Sequence, residues 1–119
     1  MHRSQADPEK MSTKERRIAY PSGWLYLCQH NSVHLLIDAL VQADPKKEFT
    51  QTELAEFAGV SRQSVRRHID TLVECGVVTE TAGGRRYRYN LDSRVGQLIV
   101  ELNAELAALG RQNTEPLKE

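Results

Sequence analysis

Residues 61–76 read Ser61-Arg62-Gln63-Ser64-Val65-Arg66-Arg67-His68-Ile69-Asp70-Thr71-Leu72-Val73-Glu74-Cys75-Gly76. Ser61 is a residue type that caps a helix start, and Gly76 one that ends a helix. Between them Val65, Ile69 and Leu72 recur at i, i+4 and i+7, which puts them on one face that must be buried. The other side of the first two turns carries Arg62, Gln63, Ser64, Arg66 and Arg67, whereas Asp70 and Glu74 fall in the C-terminal half. A recognition helix enters the DNA major groove by its N-terminal residues, where Arg and Gln form paired hydrogen bonds with guanine and adenine edges. An amphipathic surface helix with a solvated basic face has the same pattern. The neighbouring segments decide between the two.

Upstream, Thr50 and Glu53 fit the capping box Thr-x-x-Glu, so a short helix is expected from 51 to about 58 with Leu54, Ala55 and Phe57 inward. Gly59-Val60 then supplies a tight turn, glycine taking backbone angles that other residues avoid. Two capped helices joined by a Gly-hydrophobic turn make a helix-turn-helix, and the small Ala55 suits a close crossing. Further back, Asn31 or Ser32 caps a helix whose stripe is Val33, Leu36, Ile37, Leu40 and Val41 and which Pro45 stops. Lys46-Lys47-Glu48 reads as a surface loop, and Phe49 as an extended segment plugging the core.

Downstream, residues 77–81 are β-prone, 82–85 form a turn, and Arg86-Tyr87-Arg88-Tyr89-Asn90-Leu91 alternates strictly. The hairpin puts Tyr87, Tyr89 and Leu91 on the core face and Arg86 and Arg88 on the other, with Arg85 at its tip. Directly after a recognition helix, such a hairpin (wing 82–88) suits the phosphate backbone or minor groove, although a purely structural hairpin has the same alternation. The last helix, 93–109, is expected to end at Gly110 and carries Val95, Leu98, Ile99, Leu102, Leu106 and Leu109 on one stripe. Its distal turns project past so small a body and need a partner, so pairing with the same helix of a second chain is expected. Glu105 interrupts a strict heptad, which favours a compact helix interface over a long coiled coil.

The fold class expected is therefore α+β and mostly helical, a winged helix-turn-helix with a C-terminal dimerisation helix. It occupies residues 21–110, between a mobile N-terminal arm (1–20) and a frayed tail (111–119). The chain has 119 residues, 39% hydrophobic and 27% charged, enough for one small domain. No apolar run approaches bilayer length and 1–20 lack the apolar segment of a secretory leader, so a cytoplasmic protein without a membrane partner is expected. Net charge is zero, which by itself argues against nucleic acid, but its distribution is uneven. Residues 61–91 carry six Lys/Arg against three Asp/Glu, while 21–60 carry two against five. The positive charge lies where the DNA-reading elements are expected.

The order of motifs resembles the small archaeal winged helix-turn-helix transcription regulators of MarR/ArsR-like kind. The resemblance rests on residues 48–61, on Val65-Arg66-Arg67-His68-Ile69, Leu72 and Gly76-Val77-Val78, and on residues 86–93, within a match spanning about 31–109. It implies a dimeric, sequence-specific binder of double-stranded DNA in which Arg62, Gln63, Ser64, Arg66 and Arg67 make base and phosphate contacts. Cys28, His30 and His34 resemble in kind the ligands of metal sensors in such families, but no further ligand at a binding spacing supports a site. Cys75 reads as a buried small hydrophobe before a redox handle, and His68 as packed beneath the recognition helix. No cofactor or metal is expected, and no phosphate loop, nucleophile elbow or carboxylate pair points to an enzyme. The alternative from another class is a winged helix used as a protein-interaction module without specific DNA binding. The operator, the direction of regulation and any effector are not legible.

Overall fold

Residues 31–89 build the body of the molecule in the order helix, helix, helix, hairpin. The computed structural model describes residues 10–112. Its elements are α1 (Thr13–Ala19), α2 (Gly23–Leu27), α3 (Asn31–Gln42), α4 (Gln51–Ala58), α5 (Arg62–Glu74), β1 (Val78–Thr81), β2 (Arg86–Tyr89) and α6 (Arg94–Gln112).

The central motif forms for the reasons its residues suggest. Thr50 caps α4 and Glu53 reaches back to the Thr50 N–H, a complete capping box. Gly59 ends α4 in the left-handed region at φ 73°, and Ser61 then caps α5 by accepting from the Ser64 N–H. Val65, Ile69 and Leu72 are fully buried, as are Leu54 and Ala55 of α4 and Val33, Leu36 and Leu40 of α3. Three helices thus share one core, closed on its open side by the hairpin.

β1 and β2 pair antiparallel with Val78 opposite Tyr89 and Thr81 opposite Arg86. The outer edge of β2 takes a third extended segment. Phe49 and Tyr87 exchange both backbone hydrogen bonds at 2.8 Å, so Phe49 ties the loop before α4 to the hairpin and plugs the core. Tyr87 and Tyr89 point inward, matching the alternation.

Several expectations need correction. Residues 13–19 of the expected arm form α1, whose capping box of Ser12 and Glu15 organises seven residues that bury nothing; residues 1–9 lie outside those described. α3 starts at Asn31 with His30 as its cap residue, and no side chain bonds the cap, so neither Asn31 nor Ser32 performs that role. Phe57 is 53% exposed, because at about 100° per residue it lies off the inward face formed by Leu54, Ala55 and Ala58; it leans on the Phe49 ring at 5.4 Å instead. Leu91 is exposed too, since β2 ends at Tyr89 and the backbone turns toward α6 before the alternation reaches it. α6 runs through Gly110 to Gln112, one glycine being too weak a breaker against an otherwise helix-forming run. Residues 113–119 of the expected tail lie outside those described.

Candidate nucleic-acid interface

The buried stripe of α5 fixes which side chains are left facing out. Arg62, Gln63, Arg66 and Arg67 are all exposed over the first two turns. Arg62, Arg66 and Arg67 make no ion pair among the described residues. Three guanidinium groups and an amide therefore stand at a helix N-terminus, where the unsatisfied backbone N–H groups add positive potential. Ser64 differs from its neighbours. It is half-buried, and its hydroxyl oxygen accepts from the Ser61 hydroxyl at 3.0 Å within the cap. Asp70 and Glu74 occupy the later turns, and Glu74 accepts from the Tyr26 hydroxyl at 3.2 Å, which joins α2 to the far end of α5.

Beneath that face lies His68, nine-tenths buried, its ring 4.9 Å from that of His30 at the start of α3. Burial holds the His68 imidazole below its ordinary pKa, with His30 and Arg67 adding to the effect. His68 packs under the helix, as its place beside the stripe suggests.

The wing is a tight turn whose backbone runs through positive φ at Ala82 (52°), Gly83 (67°) and Gly84 (85°). Arg85 is exposed, with its Nε donating to the Ala82 carbonyl at 3.1 Å, so its stem is held against the turn. Arg88 is half-buried opposite Thr79. Arg86 reaches back to α4 and pairs with Glu53 at 3.2 Å. The Glu53 carboxyl is held below the usual range by the Thr50 backbone N–H first and by Arg86 after it. The hairpin's outer face is thus partly occupied by a link between wing and α4. No local pattern announces that link, because it joins residues 33 positions apart.

A second surface is apolar. Trp24 and Tyr26 of α2 and Val95, Leu98 and Leu102 of α6 border an apolar cleft of about 490 Å³ that also touches Cys75. Leu106 and Leu109 continue the exposed stripe. Ile99 faces both ways, lining the cleft and packing on the core together with Val100. Trp24, 60% exposed, borders this cleft and stays out of the core. Cys28 and Cys75 are free, half-buried thiols whose pKa values burial pushes up, with Glu74 adding to the effect at Cys75. Among the described residues no three His, Cys, Asp or Glu side chains gather as a metal site, and no helix is long and apolar enough to cross a membrane.

Residues 31–86 match the model of the MarR family. The chain is also similar to a probable mercury resistance operon repressor of Streptomyces lividans, 37% identical over 62 residues. That match takes in 51% of this chain and 50% of the relative, so the chain spans about half the length of the curated protein it matches. The matched family segment begins at α3 and ends in β2, leaving α1, α2 and α6 outside it. Residues 31–86 thus have a winged helix-turn-helix fold, and in sequence they are similar to the MarR family.

Proposed function

We propose that this protein is a transcription regulator that binds specific double-stranded DNA sites as a homodimer. The observation that carries the reading is the first half of α5: Arg62, Gln63, Arg66 and Arg67 stand exposed at the N-terminus of the second helix of a helix-turn-helix, the three arginines without an ion pair among the described residues. That end enters the major groove, and the positive end of the helix adds to the attraction for phosphate. Ser64 contributes through the cap that holds the first turn. Arg85 meets the flanking backbone from the wing tip, with Arg88 beside it, while Arg86 divides its charge between DNA and Glu53.

Dimerisation rests on α6. Val95, Leu98, Leu102, Leu106 and Leu109 offer an exposed stripe, and Ile99 joins it from the edge of the core. Two copies of that stripe bury each other's leucines, with the cleft beside Trp24 widening the contact. The recognition helices then lie in successive major grooves about 34 Å apart on a pseudo-palindromic site. The relative's name speaks of repression, and repression is the direction proposed here. The mercury of that name is not carried over, since the described residues gather no three-ligand site. Cytoplasmic localisation follows from the same role.

The test is fluorescence anisotropy with random duplex DNA at two salt concentrations, alongside sedimentation of the free protein. Binding that weakens steeply with salt, by a dimer, is expected. A dimer that binds no DNA at low salt overturns the regulator reading in favour of a protein-interaction module, for which the zero net charge and the apolar cleft are the motive.

A further inference from the structure

One hydroxyl fastens α6 to the end of the recognition helix. Ser93 Oγ donates to the Gly76 carbonyl and accepts from the Gly96 N–H at 2.9 Å, so it is at once the cap of α6 and a link to the residue that ends α5. The surrounding bonds hold it there. Asn90 Oδ1 accepts from the N–H groups of Asp92 and Ser93 at 2.9 and 3.2 Å, and the Asn90 N–H donates to the Val77 carbonyl at 2.9 Å. The buried Tyr89 hydroxyl donates to the Gly96 carbonyl at 2.6 Å. Two glycines let these segments close on one another. Gly76 has φ +86° with Ser93 packed where a Cβ would stand, and a Cβ on Gly96 would collide with the Asn90 carbonyl. The end of α5, the end of β2 and the first turn of α6 therefore meet in one polar joint.

Past this joint α6 has little else among the described residues to direct it. Ile99 and Val100 rest on the core, and every residue from 101 to 110 is exposed. At ~1.5 Å per residue, its 19 residues make a lever of roughly 28 Å, so a rotation of about 10° at the joint moves the far end by about 5 Å. One base pair advances the duplex by ~3.4 Å. A change that small in the angle of α6 is enough to move a paired recognition helix by a distance comparable with the rise of one base pair.

We propose that Ser93 is a positioning residue for DNA recognition, setting through its bond to Gly76 the angle between α5 and α6 and so the half-site spacing that the dimer accepts. The inference rests on the homodimeric DNA-binding reading above. Its effect is on which spacing is bound, with little effect on whether α6 forms.

The test compares Ser93→Asp with wild type. Aspartate keeps the cap acceptor for the Gly96 N–H but cannot donate to the Gly76 carbonyl. Ser93→Ala loses both bonds, and Ser93→Thr retains both. Affinity is measured for a site selected by wild type and for the same site with one base pair inserted or removed. Wild type and Ser93→Thr are expected to prefer the native spacing by about tenfold or more, and Ser93→Asp by less than about threefold, with the sedimentation of the dimer unchanged. Should Ser93→Asp fail to fold, Ser93→Ala is read in its place.

A second readout does not use DNA. Spin labels at Arg62→Cys and Asn103→Cys, in a Cys28→Ser, Cys75→Ser background diluted with unlabelled protein, report the distance from α5 to distal α6. A narrow distribution that broadens or shifts in Ser93→Asp is expected. An unchanged distribution, or an unchanged spacing preference, overturns the role of Ser93. A wild-type protein that binds no DNA overturns the regulator reading and the spacing role with it, and the distance measurement then reports whether the joint alone stands.

Discussion

Arg66 and Arg67 differ from Arg86 in what already holds them. The first two are exposed and without an ion-pair partner among the described residues, whereas Arg86 is engaged by Glu53. For Arg66→Ala or Arg67→Ala a loss of about 1 to 3 kcal/mol in binding to the specific site is expected, with relaxed specificity at one position. Arg85→Ala is expected to weaken all sequences nearly equally and to lower the salt slope by about one. Anisotropy titrations on specific and random duplexes distinguish the two behaviours; wild-type binding by all three variants would remove α5 from the groove. His68 makes a prediction about stability. Because burial, then His30 and Arg67, hold its folded-state pKa below the ordinary value, the unfolded chain takes up the proton more readily. Stability is then full above about pH 6.5 and falls as the pH drops through and below that value. Urea midpoints at pH 7.5 and 5.5 should differ more for wild type than for His68→Gln, and equal differences would refute the assignment.

Among the elements, the helix-turn-helix was the most legible, because capping and turn chemistry act over three or four residues. Thr50 with Glu53, Gly59 and Ser61 each do what their type and spacing suggest. At Gly59, as at Gly83 in the wing, backbone angle alone matters: φ is +73° and a Cβ would meet nothing within 4 Å. Gly59→Ala is thus expected to destabilise by about 1 to 2 kcal/mol through left-handed strain, read as a lower melting temperature without loss of fold. Leu72→Ala, emptying a fully buried site, should cost about 2 to 5 kcal/mol by the same measurement. The misread positions share a cause. The apolar character of Phe57 and Leu91 suggests a buried face for both, but Phe57 lies off the inward face of α4 and Leu91 lies beyond the end of β2. Residues 1–20 read as an arm because they are charged or small and polar with almost no apolar side chains; a capping box can order a short helix without any apolar signal.

For the molecule as a whole, the neutral net charge conceals a division of labour between two faces. Cationic side chains gather at the start of α5 and on the wing, while α2 and α6 present an apolar cleft on another side. If α6 pairs two copies, Leu102→Glu or Leu106→Glu should convert the dimer to monomer in sedimentation and weaken operator binding at low protein concentration, with the melting of the monomer unit little changed. A dimer that survives both substitutions would move the interface elsewhere. Such a pairing would give the exposed leucines of α6 a cover that the described residues do not supply.

The residues alone determined the helix-turn-helix, its buried stripe, the hairpin and the cationic end of α5, because periodicity, capping and alternation depend on near neighbours along the chain. Only the tertiary structure decided which of those residues are already engaged. The Arg86–Glu53 pair, the His30–His68 contact and the bond from Ser93 to Gly76 join positions 33, 38 and 17 residues apart. Such partners are chosen by how helices and hairpin pack on one core, a consequence of the whole chain that no window of sequence contains.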